Sequence, residues 1–146
     1  MQVGEVVAGI LLVLGAVTLG PRIAAKVWRD PAYAEKMTRS ERTLPFGYAT
    51  RRGVIRGVLP LWTGIGFIGV GTLAAAGLPA GSAHQSSPAL VCAVACYGLG
   101  IAAIGLNIWI VWFNRPRRLV PPYMRGEEGL VPAWRRARNL ADGGPR

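Results

Sequence analysis

The sequence predicts an all-α, polytopic membrane protein with three transmembrane helices and short interfacial helices. Its N-terminus is expected outside and its C-terminus in the cytoplasm. Three observations carry that expectation. No Lys, Arg, Asp or Glu occurs from Gly57 to Asn114, a run that holds two hydrophobic segments and a short loop. A further apolar segment opens the chain. The 17 Lys and Arg gather between and after these segments, nine within 22–56 and eight within 115–146. Three acids in each basic stretch leave net charges of +6 and +5, and Glu5 brings the total to +10. Positive charge flanking apolar spans marks the cytoplasmic side of a membrane.

Composition narrows the class further. Half the residues are apolar, 16% are charged, and the mean hydropathy is +0.33. Uninterrupted apolar runs of this kind belong to membrane proteins. A basic excess spread over a soluble surface would suggest nucleic acid. Here it abuts membrane segments, so nucleic acid is not expected and anionic lipid headgroups are. The Arg-rich, Ala/Gly-rich composition resembles that of small actinobacterial membrane proteins, a likeness that carries over no functional residue. What the likeness implies is a bacterial plasma membrane, the inner membrane, as the expected location.

The first span, residues 1–20, takes its apolar run from Val3 to about Leu19, near the lower limit for crossing the hydrocarbon core. Glu5 precedes that run and Arg22 follows it, the reverse of a signal peptide, so the segment is expected to stay in the mature protein. A helix resuming through Ala24 to Trp28 would kink at Gly20-Pro21 and bring Trp28 to headgroup level.

Residues 21–57 form a basic cytoplasmic connection. Asp30-Pro31 reads as an N-cap followed by proline at the first helical position, which predicts a short helix from Pro31 to about Arg39. Arg39, Arg42, Arg51, Arg52 and Arg56 then lead back to the membrane. They suit the interface or an acidic partner.

The second span, 58–78, has Pro60 and Trp62 near its entrance and a middle thinned by Gly64, Gly66, Gly69 and Gly71. Residues 79–87 make a short external loop without Lys or Arg. The third span, 88–113, starts at Pro88 and ends in a girdle of Trp109, Trp112 and Phe113. The basic tail, 114–146, passes Arg115, Arg117 and Arg118 before Pro121-Pro122 stops the helix. A short helix from Pro132 through Leu140 would put Ala133, Ala137 and Leu140 beside Trp134, leaving Arg135, Arg136 and Arg138 for headgroups.

Chemistry-bearing groups are sparse. Glu5, Cys92, Cys96 and Asn107 are the candidates within or beside the spans. The two cysteines share one helix face, yet metal binding needs three or four convergent ligands. The chain's one histidine, His84, lies on the external loop. No catalytic, metal or cofactor site is expected. Small residues supply the positive signal. Gly71 with Ala75, and Cys96 with Gly100, are spaced for close helix packing, and the Asn107 amide suits a bond across helices. Trp28, Arg51, Arg52, Trp109, Trp112, Arg117, Arg118, Trp134, Arg135, Arg136 and Arg138 are the expected interfacial or docking residues.

These features point to a non-catalytic membrane subunit or accessory protein. Such a chain would stabilise a larger hetero-oligomeric complex by packing against other integral membrane proteins. A small homo-oligomeric transporter or channel component is the first alternative, although broken polar helices and internal repeats are not visible. A membrane enzyme whose chemistry comes from a partner or cofactor is the second.

Overall fold

A computed structural model describes residues 3–40, 47–78 and 88–141. Residues 79–87 with His84, expected from sequence as an external loop, the Arg42 segment and the last five residues lie outside the described residues. The described chain is all-α. In order it comprises α1 (Val3–Arg29), α2 (Pro31–Arg39), α3 (Tyr48–Arg56), α4 (Val58–Ala76), α5 (Pro88–Phe113) and α6 (Leu130–Ala141), with 3₁₀ turns at Arg117–Leu119 and Pro122–Met124. Helices α1, α4 and α5 are long and apolar enough to cross a membrane.

The first helix continues to Arg29, well beyond the apolar run, with Pro21 inside it. Proline removes one backbone donor but fixes φ near its helical value. Where no water can serve the remaining backbone groups, continuing the helix satisfies most of them. Thr18, Thr63 and Thr72 follow the same rule. Their hydroxyls donate to the carbonyls of Leu14, Leu59 and Ile68, four residues back, at 2.6, 3.0 and 2.9 Å.

The chain divides into two compact units. One comprises 1–23 and 59–105, and is built on the glycines of α4. At 100° per residue, Gly64 and Gly71 fall on one side of the helix, and Gly66 and Gly69 on the other. The two sides serve different neighbours. A Cβ on Gly69 would stand 2.9 Å from Leu12 Cβ, and one on Gly66 would stand 3.2 Å from Ala16 Cβ, both on α1. Toward α5, a Cβ on Gly64 would stand 3.0 Å from the Gly100 carbonyl oxygen. One on Gly100 would stand 3.1 Å from the Gly64 carbonyl oxygen. Gly71 lies over Ala93, Cys96 and Tyr97, and the Tyr97 hydroxyl meets Thr72 Oγ1 at 3.2 Å. Removal of side chains lets the backbones touch, which is how helices gain packing energy in lipid.

The other unit comprises 24–58 and 106–146. Asp30 caps α2, its Oδ1 accepting from the Ala32 and Tyr33 amides at 2.9 and 3.1 Å. Ala34 and Thr38 bury one face of α2. The next helix, α3, is an element that local pattern did not announce. Its Gly53 lies against Val111 of α5, where a Cβ would stand 2.7 Å from Val111 Cγ1. Below it, the buried Asn107 amide donates to the Gly57 carbonyl at 2.5 Å.

Candidate functional site

The densest polar arrangement is a clamp between α3 and the chain that follows α5, all within the second unit. Asn114 ends α5 in the left-handed region, at φ 53°. Asn tolerates that conformation better than other residues with a Cβ. Its side-chain amide donates to the Met124 and Glu127 carbonyls at 3.3 and 2.5 Å, pinning the returning loop. Gly129 then passes against the backbone of Trp112 and Phe113, where a Cβ would stand 2.7 Å from Phe113 Cα. Met124 and Val120 are fully buried beneath the loop. The Tyr123 hydroxyl donates to the Val27 carbonyl, and burial pushes the Tyr123 phenol above its ordinary pKa.

This loop delivers Glu127 to two arginines. Arg52 holds its carboxylate through Nη2 at 2.7 Å and Nε at 3.3 Å, while Arg56 Nη2 reaches it at 2.5 Å. Arg56 Nη1 also donates to the Glu128 carbonyl at 2.8 Å. The third guanidinium nitrogen of Arg52 reaches Glu35 on α2 at 2.9 Å, and Glu35 accepts from Arg39 at 2.9 Å and from Tyr48 at 3.1 Å. Planar guanidinium forks suit such shared carboxylates. Burial pushes the Glu127 carboxyl up, but the hydrogen bonds from Arg52 and Arg56 outweigh it and hold the group below its ordinary pKa. The Arg39 hydrogen bond does the same for Glu35, and the Glu127 hydrogen bond raises Arg52.

The residues singled out from sequence occupy several environments. Gly71, Cys96 and Gly100 lie in the α4–α5 contact, Ala75 is half-buried on α4, and Asn107 binds Gly57. Arg51 and Arg56 are buried and Arg52 is paired, so α3 turns its arginines inward. The Trp28 indole nitrogen is buried and meets no hydrogen-bond acceptor among the described residues. Trp109 and Trp112 are half-exposed, with the Trp109 and Phe113 rings 4.4 Å apart. Arg117 and Arg118 stand exposed on a 3₁₀ turn. On α6, Trp134 and Arg135 are exposed, the Arg138 guanidinium lies 5.6 Å from the Trp134 ring centroid, and Arg136 pairs with Glu128. Glu5 is exposed, and the two cysteines are unpaired, Cys92 exposed and Cys96 partly so.

Sequence reading missed Glu35, Glu127 and Gly129. The available signal was that the few acids of the basic stretches lie among many arginines. Among the described residues, no group of three His, Cys, Asp or Glu is placed to hold a metal ion. The clamp binds backbone and side chains to one another and presents no nucleophile beside a base. No family model, curated protein or solved structure matches the chain.

Proposed function

We propose that this protein is a non-catalytic, multi-pass component of a bacterial plasma membrane that packs against other integral membrane helices in a hetero-oligomeric complex. The observation that carries the reading is the outward face of α5. Ala95, Gly98, Ala102 and Gly105 are exposed within one arc of that helix, and a Cβ on Gly98 or Gly105 would meet nothing within 4 Å. The glycines of α4 are consumed inside the chain; these two are not. A recess of small residues on an apolar helix favours backbone approach by a second helix, whereas lipid needs no such recess.

The two basic segments fit one side of the membrane. Glu127 of the tail and Arg52 and Arg56 of the connection are joined by direct ion pairs, and both stretches belong to one compact unit. Their positive excess supports a cytoplasmic placement for that side. Anionic headgroups then meet the exposed arginines of the tail.

Gly98→Leu tests the association. Solubilised mildly from native membranes, the wild-type chain should migrate in an assembly larger than its monomer. Gly98→Leu should lower the assembled fraction at least threefold while the chain stays in the membrane. A wild-type monomer in several mild detergents, or an assembly indifferent to leucine at both Gly98 and Gly105, would refute the reading.

A further inference from the structure

We infer that the corner after α5 forms a discrete site for the phosphate headgroup of an anionic phospholipid. Two adjoining grooves, about 460 and 520 Å³, share Trp109, Arg115 and Arg117 as lining residues. Phe113, Asn114 and the 126–129 loop complete the larger one. Both volumes lie in the range that accepts a small ligand.

The charge in this corner is unevenly matched. Glu127 and Glu128 also line the larger groove, but Glu127 is held by Arg52 and Arg56, and Glu128 by Arg136. Among the described residues, Arg115 and Arg117 have no carboxylate within ion-pair distance. Two unmatched guanidinium groups beside matched carboxylates make a local positive site, and planar guanidinium donors suit phosphate oxygens.

Position selects a lipid as the source of that phosphate. The grooves lie at the end of a 26-residue apolar helix, where the half-exposed Trp109 and Trp112 belong at headgroup level. A headgroup held by Arg115 and Arg117 would rest its glycerol against Trp109. Its acyl chains would follow the exposed Ile108 toward the hydrocarbon. An acidic peptide or free phosphate would gain nothing from that apolar continuation. This inference rests on the membrane placement proposed above, but not on any protein partner.

Native mass spectrometry of the full chain in neutral detergent reads the site directly. With dioctanoyl phosphatidylglycerol, the wild type should retain lipid, and several-fold less dioctanoyl phosphatidylcholine. Arg115→Gln/Arg117→Gln should lower the retained phosphatidylglycerol at least fivefold. Arg135→Gln/Arg138→Gln, which removes an equal charge from α6 and leaves the Arg136–Glu128 pair in place, should leave it within twofold. Arg115→Lys/Arg117→Lys should recover at least half of it, which a collapsed fold would not. Undiminished binding in the groove variant, equal loss in the α6 variant, or no recovery with lysine would overturn the site. Equal retention of phosphatidylcholine would overturn its anionic selectivity, and displacement by equimolar inorganic phosphate would reassign it to a free anion. The Gly98→Leu measurement is independent of all these outcomes.

Discussion

Glu127→Gln is expected to destabilise the folded chain by about 2–3 kcal/mol. The variant leaves Arg56, whose side chain is 7% exposed, facing a neutral amide, and removes the bidentate partner of Arg52. Breaking a buried pair costs more than the pair contributes, because the remaining charge stays desolvated. The figure is set below that for a fully buried pair, since the Glu127 side chain keeps 32% of its surface exposed. Adding Arg56→Met should recover part of the loss by removing the stranded charge. The pH dependence follows from the same contact. A carboxyl held below its unfolded pKa stabilises the fold above that unfolded value, about 4.3, and its contribution is lost as pH falls through the lower, folded value. Thermal denaturation in detergent from pH 7 to pH 3 should therefore show a steeper loss for the wild type than for Glu127→Gln. Parallel curves would show that the clamp contributes no differential proton binding.

Gly100→Ala is expected to cost about 1–3 kcal/mol, the range for forcing a side chain into a filled contact. The added methyl would stand 2.7 Å from Ile68 Cγ1 and 3.1 Å from the Gly64 carbonyl oxygen. Ile68 Cγ1 moves only by a change of χ1, which a β-branched residue in a helix resists; the carbonyl belongs to a helix and can move only with it. Gly98→Ala makes the internal control, because its methyl meets open space two residues away. It removes glycine's backbone entropy without a clash, and is expected to be neutral or stabilising. Denaturation of the two variants in mixed micelles separates them. Equal midpoints would show that α4 and α5 do not approach through Gly64 and Gly100.

The elements that sequence made legible are those whose cause is local. Helix α5 runs Pro88–Phe113, where the proline start and aromatic end put it, and Asp30-Pro31 opens α2. These depend on residues within a turn of one another. Helix α3 depends on distant ones. Its apolar residues, Val54 and Ile55, make too narrow a stripe to signal a helix, and its arginines find their partners about 75 positions away. Among the α4 glycines only Gly71 was legible as a packing position; the others read as a thin middle, and the two opposed seams were not read at all. Spacing alone held that information, since Gly64 with Gly71 and Gly66 with Gly69 diverge by about half a turn. Whether a small residue meets its own chain or another one has no local signature at all. Gly100 meets Gly64, whereas Gly98 meets nothing.

The proposed membrane topology, on which the headgroup site and the α5 interface both depend, is tested by accessibility in intact cells. With Cys92 and Cys96 replaced by alanine, single cysteines would be introduced at Ser40, on the connection beside α2, and at Ser87, before α5. A membrane-impermeant maleimide should label Ser87→Cys in intact cells and Ser40→Cys only after the membrane is opened. Labelling of Ser40→Cys alone, or of both with equal ease, would contradict three spans with the basic segments inside.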